Sequence, residues 1–174
     1  KGFDTLAERA VAMARVVPED PFAGLPEAVA LMPRDLDLVD PVEPTAEMLL
    51  ARTAAAEEAA LAVPGVTNSD GADASWSRYE IALAGSNGFA GAYARTSHSI
   101  STTAVVGTGT GMERDYDWSS TVHLADLDDP VAIGRRAAEQ AVRRLNPTRP
   151  KTARIPVVFD PRVAGSLLGH LSGA

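Results

Sequence analysis

The chain has 174 residues, a net charge of −7, a pI near 4.9 and a mean hydropathy of −0.03. This length allows one or two small domains with a real hydrophobic core. The acidic balance argues against direct nucleic-acid binding, which usually needs a basic surface. No apolar run approaches the ~20 residues of a membrane span, so we expect no contact with a membrane. The absence of cysteine excludes disulfides, thiolate metal ligands and a cysteine nucleophile.

The first 64 residues are predicted to be helical and are interrupted by prolines. A first helix is indicated by apolar residues at helical spacing and ends at Pro18. Residues 21–44 contain five prolines and predict an irregular connection with one short helix. Thr45 is expected to cap a second helix, which Pro64-Gly65 ends. The residues that carry the first apolar stripe are Leu6, Ala7, Ala10, Val11, Ala14 and Val17.

Residues 66–124 lose the helical period and alternate with period two, which predicts an antiparallel β-meander. Asn87-Gly88 is a strong signal for a hairpin, and the glycine-rich run 107–111 predicts a second turn. In the third strand, Met112 to Leu124, we expect the acidic side chains of Asp115 and Asp117 to face solvent. Core packing is expected to account for most of the aromatic side chains of this block, which are Trp76, Tyr79, Tyr93, Tyr116 and Trp118. The alternative is that the wet face and exposed edge of the sheet pair with an extended peptide.

The remaining residues predict helix, strand and helix. Asp128-Asp129-Pro130 indicates the start of a helix over 130–146, followed by a short strand at Ile155–Phe159 and a helix that opens at Asp160-Pro161. We therefore predict an α+β fold, an antiparallel β-meander packed with helices and followed by the start of a second α/β unit. The predicted domains are residues 1–147 and residues 152–174.

The sequence shows no catalytic machinery of its own. None of its three histidines, His98, His123 and His170, is followed by glutamate, so the helical zinc motif is absent. His98 and His123 can approach each other across a sheet, and a metal site there is one interpretation. The interpretation that we favour is that both are solvated strand residues.

Other local motifs also have structural explanations. The pattern Gly-x-Ser-x-Gly is absent, and the run 107–111 lacks the Gly-Lys-Ser/Thr ending of a phosphate loop. The acidic residues 126–129 precede a helix, where the helix dipole favours them. The basic stretch follows a helix end, where cations are favoured for the same reason; it consists of Arg143, Arg144, Arg149, Lys151 and Arg154. We predict no catalytic, cofactor-binding or metal-binding residue in the chain.

Four segments together resemble the TldD/PmbA family, whose members were once called modulators of DNA gyrase. They are residues 65–71 (GVTNSDG), 86–89 (SNGF), 112–117 (MERDYD) and 156–170 (PVVFDPRVAGSLLGH). Their order and spacing agree with the family over nearly the whole chain, and the similarity is greater to PmbA, also called TldE, than to TldD. The resemblance also makes us expect an interior piece of a longer protein, covering the N-terminal α+β domain and the start of the C-terminal domain.

The resemblance implies a cytoplasmic two-subunit peptidase that cleaves unfolded peptides, such as microcin-type precursors or an antitoxin. In this family TldD carries a zinc-binding His-Glu-x-x-x-His helix, and PmbA/TldE lacks it. The chain is then expected to belong to the non-catalytic subunit, with zinc in a TldD-like partner. The alternative is a homodimeric binding protein that acts on gyrase-related targets without peptidase activity.

Overall fold

Strands β1 (Val66–Ala84), β2 (Ala90–Val106) and β3 (Glu113–Thr121) form an antiparallel sheet in the order β1-β2-β3. The computed structural model describes residues 2–25, 27 and 34–173. β1 and β2 pair from Ala84–Ala90 to Val66–Val106, with register shifts confined to the segment Val66–Ala72. β3 pairs with β2 from Val106–Glu113 to His98–Thr121. The predicted α+β fold with an antiparallel meander is confirmed.

Both turns of the meander fall at glycine-rich segments, as predicted. In the first, the Gly85 amide donates to the Phe89 carbonyl at 2.9 Å, and Gly88 has a φ of +88°. In the second, Gly107 has a φ of +74°, and a Cβ there would lie 2.4 Å from the Gly111 carbonyl oxygen. Glycine is favoured at both positions because other residues rarely adopt these positive φ angles, and at Gly107 a side chain would also lack space.

The helices are α1 (Phe3–Val16), α2 (Ala46–Leu61), α3 (Pro130–Arg143) and α4 (Pro161–Ser172). The predicted start signals are present, since the Thr45 hydroxyl accepts from the Met48 amide at 3.3 Å and caps α2. Asp129 and Pro130 begin α3. Asp160 caps α4 by accepting from the Arg162 amide at 2.9 Å.

α2 and α3 pack together on one face of the sheet. A Cβ at Gly134 of α3 would lie only 2.0 Å from the carbonyl oxygen of Ala56 in α2, so the two backbones are nearly in contact. Small side chains allow this approach and dispersion contacts fill the seam. The fully buried residues of the seam and the adjoining sheet include Ala56, Ala60, Ile133, Ala137, Ala138, Ala141, Ala104 and Val106.

One segment differs from the sequence-based expectation, and another lies partly outside the described residues. The predicted strand Ile155–Phe159 was wrong: these residues form no strand, because no neighbouring strand in the described part of the chain supplies hydrogen bonds, and Val158 is 95% exposed. Residues 21–25, 27 and 34–44 of the predicted irregular connection form no helix, and the rest of the span in which one short helix was predicted lies outside the described residues. α1 and α4 contain no buried residue.

Candidate functional site

The two faces of β3 are the reverse of the prediction. Asp115 and Asp117 are 5% and 7% exposed and point toward the helices, whereas Tyr116 and Trp118 are 51% and 54% exposed on the outer face. The expectation of solvated carboxylates was therefore wrong. The expectation of packed aromatics was wrong for Tyr116, Trp118, Tyr79 and Tyr93, because the described helices α2 and α3 cover only the inner face of the sheet.

Arginines of α3 explain why carboxylates tolerate the inner face. The Arg136 side chain donates from Nε to Asp117 Oδ2 at 2.6 Å and from an Nη atom to Asp128 Oδ2 at 2.5 Å. A carboxylate is costly to bury unless it is paired and hydrogen-bonded. The hydrogen bond from Arg136 meets that requirement for Asp117, and hydrogen bonds to Asp117 and then Asp128 raise the pKa of Arg136.

Asp115 lies between two arginines from different helices. Arg144 Nε, just beyond α3, donates to Asp115 Oδ2 at 2.6 Å, and Arg162 Nη1 of α4 lies 3.3 Å from Asp115 Oδ1. Burial alone would raise the pKa of Asp115. Hydrogen bonds from Arg144, the Tyr116 amide and Arg162 outweigh burial and lower this pKa below its ordinary value.

Arg162 also ties α4 to the edge strand β3. Its Nη1 donates to the Tyr116 carbonyl oxygen at 2.9 Å, and its guanidinium carbon lies 5.7 Å from the centre of the Tyr116 ring. The distance is within the range of a cation–π interaction. Since α4 has no buried residue, these contacts of one side chain are prominent among those that hold the helix to the sheet.

A surface cleft of about 560 Å³ lies between α3, α4 and Asp115. Arg136, Arg144 and Arg162 line it, but each of them is already paired with a carboxylate. The cleft is therefore an internally neutralised arginine–aspartate cluster. The sequence-based explanation of the basic stretch as a helix-end effect misses the contact of Arg144 with Asp115.

A second cluster lies at the opposite end of β3 and centres on Asp40, which is 6% exposed. Asp40 Oδ2 accepts from the Leu124 amide at 2.6 Å, and Oδ1 accepts from the Val42 amide at 2.9 Å. These two hydrogen bonds lower the pKa of Asp40, first that from Leu124 and then that from Val42. The Asp40 amide donates to the Thr96 hydroxyl, which donates to the Val122 carbonyl.

Two histidines, His98 in β2 and His123 just after the end of β3, face Asp40 and Asp37 respectively. His98 is 1% exposed, and its Nε2 lies 3.1 Å from Asp40 Oδ2 without the alignment of a hydrogen bond. The ring of His123 contacts Asp37 through Nε2, 3.1 Å from the carbonyl oxygen and 3.2 Å from Oδ2. The Asp37 carbonyl, followed by the carboxylates of Asp37, Asp40 and Asp126, raises the pKa of His123 against the effect of partial burial.

The histidines do not form the metal site considered from sequence. In the sheet register His98 lies opposite Thr121 rather than His123, and Asp115 and Asp117 are paired with arginines. Within residues 2–25, 27 and 34–173 no group of three His, Cys, Asp or Glu side chains has the arrangement of a metal site. The donor set therefore does not fit zinc. The picture of a solvated histidine was also wrong for His98, which is buried.

The segment 34–42, which we call the strap, lies along the part of β2 that β3 does not reach. The Thr96 amide donates to the Leu38 carbonyl at 2.9 Å, which fixes the strap to β2. A groove of about 1060 Å³ separates residues 34–39 from the end of the β1–β2 hairpin. Its apolar lining includes Leu36, Leu38, Val39, Ile81, Leu83, Phe89 and Tyr93.

Several residues of these clusters were not recognised from sequence. Asp40 and Thr96 are far apart in the chain and carry no local motif, so no sequence signal indicates them. The arginine–aspartate cluster has a weak signal. Asp115 and Asp117 share a strand face at a spacing of two, while Arg136 and Arg144 share a helix face at a spacing of eight.

An antiparallel sheet with helices on one face, and charged clusters at both ends of its edge strand, defines an α+β domain. Residues 39–145 match the family model described as the PmbA/TldA metallopeptidase central domain. The match extends from the strap to the end of α3 and includes the whole sheet. The chain belongs to the TldD/PmbA family.

Curated relatives agree with this assignment. The chain is 35% identical over 171 residues to metalloprotease PmbA from Escherichia coli O157:H7, covering 96% of the chain and 38% of the relative. It is 28% identical over 170 residues to a metalloprotease PmbA homologue from Haemophilus influenzae, again with 96% and 38% coverage. The chain thus spans about two fifths of the length of these relatives.

Solved structures share the fold. A Bacteroides thetaiotaomicron protein, described in terms of DNA gyrase modulation, superimposes with a TM-score of 0.77 at 22% identity, over 96% of this chain and 39% of that one. A Thermotoga maritima protein with a similar description gives a TM-score of 0.63 at 16% identity, over 84% of this chain and 33% of that one. Among the helices described here, none is long and apolar enough to cross a membrane.

Proposed function

We propose that this chain is part of the non-catalytic, PmbA/TldE-like subunit of a TldD/PmbA-type metallopeptidase. The observation that carries the proposal is the family match over residues 39–145 together with relatives named metalloprotease PmbA. In this proposal the subunit contributes walls to a peptide-enclosing chamber in the cytoplasm. A TldD-like partner supplies the zinc, and the substrates are unfolded peptides such as microcin-type precursors or antitoxins.

The state of the histidines supports this assignment of roles. His98 and His123 face Asp40 and Asp37 at distances of 3.1 and 3.2 Å, and these contacts anchor the strap. His170 lies on the exposed helix α4, away from both. A zinc peptidase needs several ligands that converge on one point, so the chemistry of hydrolysis is assigned to the partner.

Co-expression with a TldD-type partner tests the proposal. We expect a stable complex that cleaves an unfolded peptide, with cleavage that depends on both chains. Failure to form a complex, or cleavage that is independent of this chain, would contradict it. A self-associated chain that forms no such complex would support the alternative, a homodimeric binding protein without peptidase activity.

Zinc analysis tests the division of roles separately. We expect the purified chain to contain far less than one equivalent of zinc, and the double variant His98→Gln/His123→Gln to have the same low content. Stoichiometric zinc in the unmodified chain that disappears in the double variant would show a metal site here and overturn the non-catalytic assignment.

A further inference from the structure

The sheet has an unfinished edge next to the strap. β2 begins at Ala90, but its pairing with β3 stops at His98, so the first part of β2 extends past the edge strand. On its other side β2 remains paired with β1 over the same residues, down to Ala84–Ala90. The segment 90–95 is therefore anchored to β1 on one side, and no strand within residues 2–25, 27 and 34–173 pairs with its other side, which we call the open side.

The direction of the backbone groups along this segment follows from two hydrogen bonds. The Thr96 amide points away from β1, because it donates to Leu38 of the strap, whereas Phe89 bonds toward β1 through Gly85. In an antiparallel ladder the outward-pointing residues alternate. The N–H and C=O groups of Ala92 and Ala94 thus point into the open side, and no hydrogen bond from the described residues reaches them there.

The groove beside this edge has the chemistry of a strand-binding site. Its walls are the strap and the hairpin, and Ala92 and Ala94 line it together with larger apolar side chains on both sides. Open backbone groups provide affinity that does not depend on sequence, and side pockets recognise alternate side chains. The hydrogen bond from the Thr96 amide to the Leu38 carbonyl shows that a main-chain carbonyl already pairs with this edge at one position.

We propose that the edge of β2 at residues 90–94 binds an extended peptide as an additional strand, in the groove between β2 and the strap. The peptide has apolar side chains at alternate positions, which contact Tyr93 on one face and the strap residues Leu36 and Leu38 on the other. This site adds a specific peptide contact to the proposed function. It rests on that function only for the identification of the peptide as a substrate of the peptidase.

The chain offers a matched pair of variants for the test. Ala92 and Ala82 lie directly opposite each other in the β1–β2 register. By the same alternation, the Ala82 amide points to the far edge of β1. Proline removes the amide hydrogen and is tolerated at a sheet edge. Ala92→Pro therefore blocks the proposed edge, and Ala82→Pro makes the same change on the opposite edge of the same hairpin.

The probe is a capped, fluorescein-labelled hexapeptide of alternating valine and threonine, and binding to the 174-residue chain is followed by fluorescence anisotropy. We expect Ala92→Pro to weaken binding at least about tenfold, through lost hydrogen bonds and steric hindrance. Ala82→Pro is expected to change binding by less than about twofold. The same peptide N-methylated at its valines should not bind. Circular dichroism establishes that both variants retain the fold.

Three outcomes would overturn the proposal. The first is no binding of the hexapeptide by the unmodified chain, and the second is equal weakening in both proline variants. The third is a dimer that Ala92→Pro converts to a monomer in sedimentation, because a second copy would then occupy the edge. Since the measurement uses neither a partner subunit nor cleavage, its failure is distinguishable from failure of the proposed peptidase role.

Discussion

The two ends of β3 accommodate buried carboxylates in different ways. At one end Asp115 and Asp117 form ion pairs with Arg144, Arg162 and Arg136, and arginine as a residue type is always charged in proteins. At the other end Asp40 is held mainly by backbone amides and faces a histidine. The neighbouring His123 has a pKa raised above its ordinary value by the Asp37 carbonyl, so this end contains a group that changes its charge near neutral pH. Buried carboxylates are thus stabilised at one end of β3 by ion pairs with arginine and at the other end by a cluster that contains a titratable histidine.

The comparison makes the arginine–aspartate cluster the larger contributor to stability. Arg144→Met leaves the buried Asp115 carboxylate with the Tyr116 amide at 2.8 Å and with Arg162 at 3.3 Å. We expect a loss of about 2 kcal/mol in the free energy of unfolding, measured by urea titration. The adjacent variant Arg143→Met is the control and should cost less than about 0.5 kcal/mol. Equal losses in the two variants would show that the ion pair contributes nothing.

The aspartate of the other cluster should give a smaller fall in thermal stability. Asp40→Asn retains one oxygen that can accept from a backbone amide, but it loses the charge that faces His98. We expect Tm to fall, whereas Asp37→Asn, in an exposed side chain, should leave Tm nearly unchanged. Differential scanning calorimetry makes the comparison, and a larger effect at Asp37 would contradict the geometry.

The two ends should also respond differently to pH. The raised pKa of His123 means that its stabilising contact is complete below its ordinary value of 6.5 and is lost as pH rises through the folded pKa. The lowered pKa of Asp40 means that its contribution is complete above its ordinary value of 3.8 and is lost as pH falls through the folded pKa. The strap is therefore held most firmly between these two ordinary values.

Amide hydrogen exchange measures this difference directly. Between about pH 5.5 and about pH 8.5, we expect protection of the Val42 amide, corrected for intrinsic exchange, to decrease. Protection of the sheet amides beside Asp115 should stay constant over this range. The pKa of Asp115 is lowered and that of Arg162 is raised, so both groups remain charged. His123→Gln should remove the change at Val42. A pH response that persists in this variant would rule out His123 as its source.

The smallest effect on global stability is expected at Arg162. Its contacts with Asp115 and Tyr116 hold α4 to the sheet. Arg162→Ala should leave the free energy of unfolding, measured by urea titration, within about 0.5 kcal/mol of that of the unmodified chain, yet increase hydrogen exchange and protease cleavage in α4. Arg162→Lys keeps the charge but lacks the planar guanidinium that lies over the Tyr116 ring and reaches Asp160 through Nε, so we expect it to restore the protection of α4 only in part. Protection of α4 equal to that of the unmodified chain would contradict this role.

Local signals in the sequence were sufficient to predict most helices and turns, but they were insufficient to predict which face of β3 is buried. Thr45 and Asp160 mark helix starts through side-chain contacts within three residues, Pro130 marks the start of α3, and Gly107 marks a turn through its own backbone. The orientation of β3 depends instead on partners such as Arg144, which lies 29 residues from Asp115 in the chain. The alternation of residues along β3 defines two faces but does not indicate which one is buried. Because arginines pair with Asp115 and Asp117, the acidic face is buried and the aromatic face is exposed, the reverse of the expectation from hydrophobicity.

The clusters were hidden for a related reason. Asp40 and Thr96 are separated by 56 residues and interact only after the meander has formed. The proposed strand-binding edge depends on the difference in length between β2 and β3, and the sequence-based boundary of the third strand was three residues too long at Leu124. Errors of that size at strand ends are ordinary, but here they decide which part of the edge is open.

The near-contact of α2 and α3 at Gly134 determines how precisely the arginines of α3 are positioned. Because a carbonyl oxygen, rather than a deformable side chain, limits the approach, the separation of these helices is a fixed dimension. Arg136 lies half a turn beyond Gly134 on the same rigid helix, and Arg144 follows at its end. The close contact of the two helix backbones therefore fixes how far the guanidinium groups of Arg136 and Arg144 lie from Asp117 and Asp115 of β3.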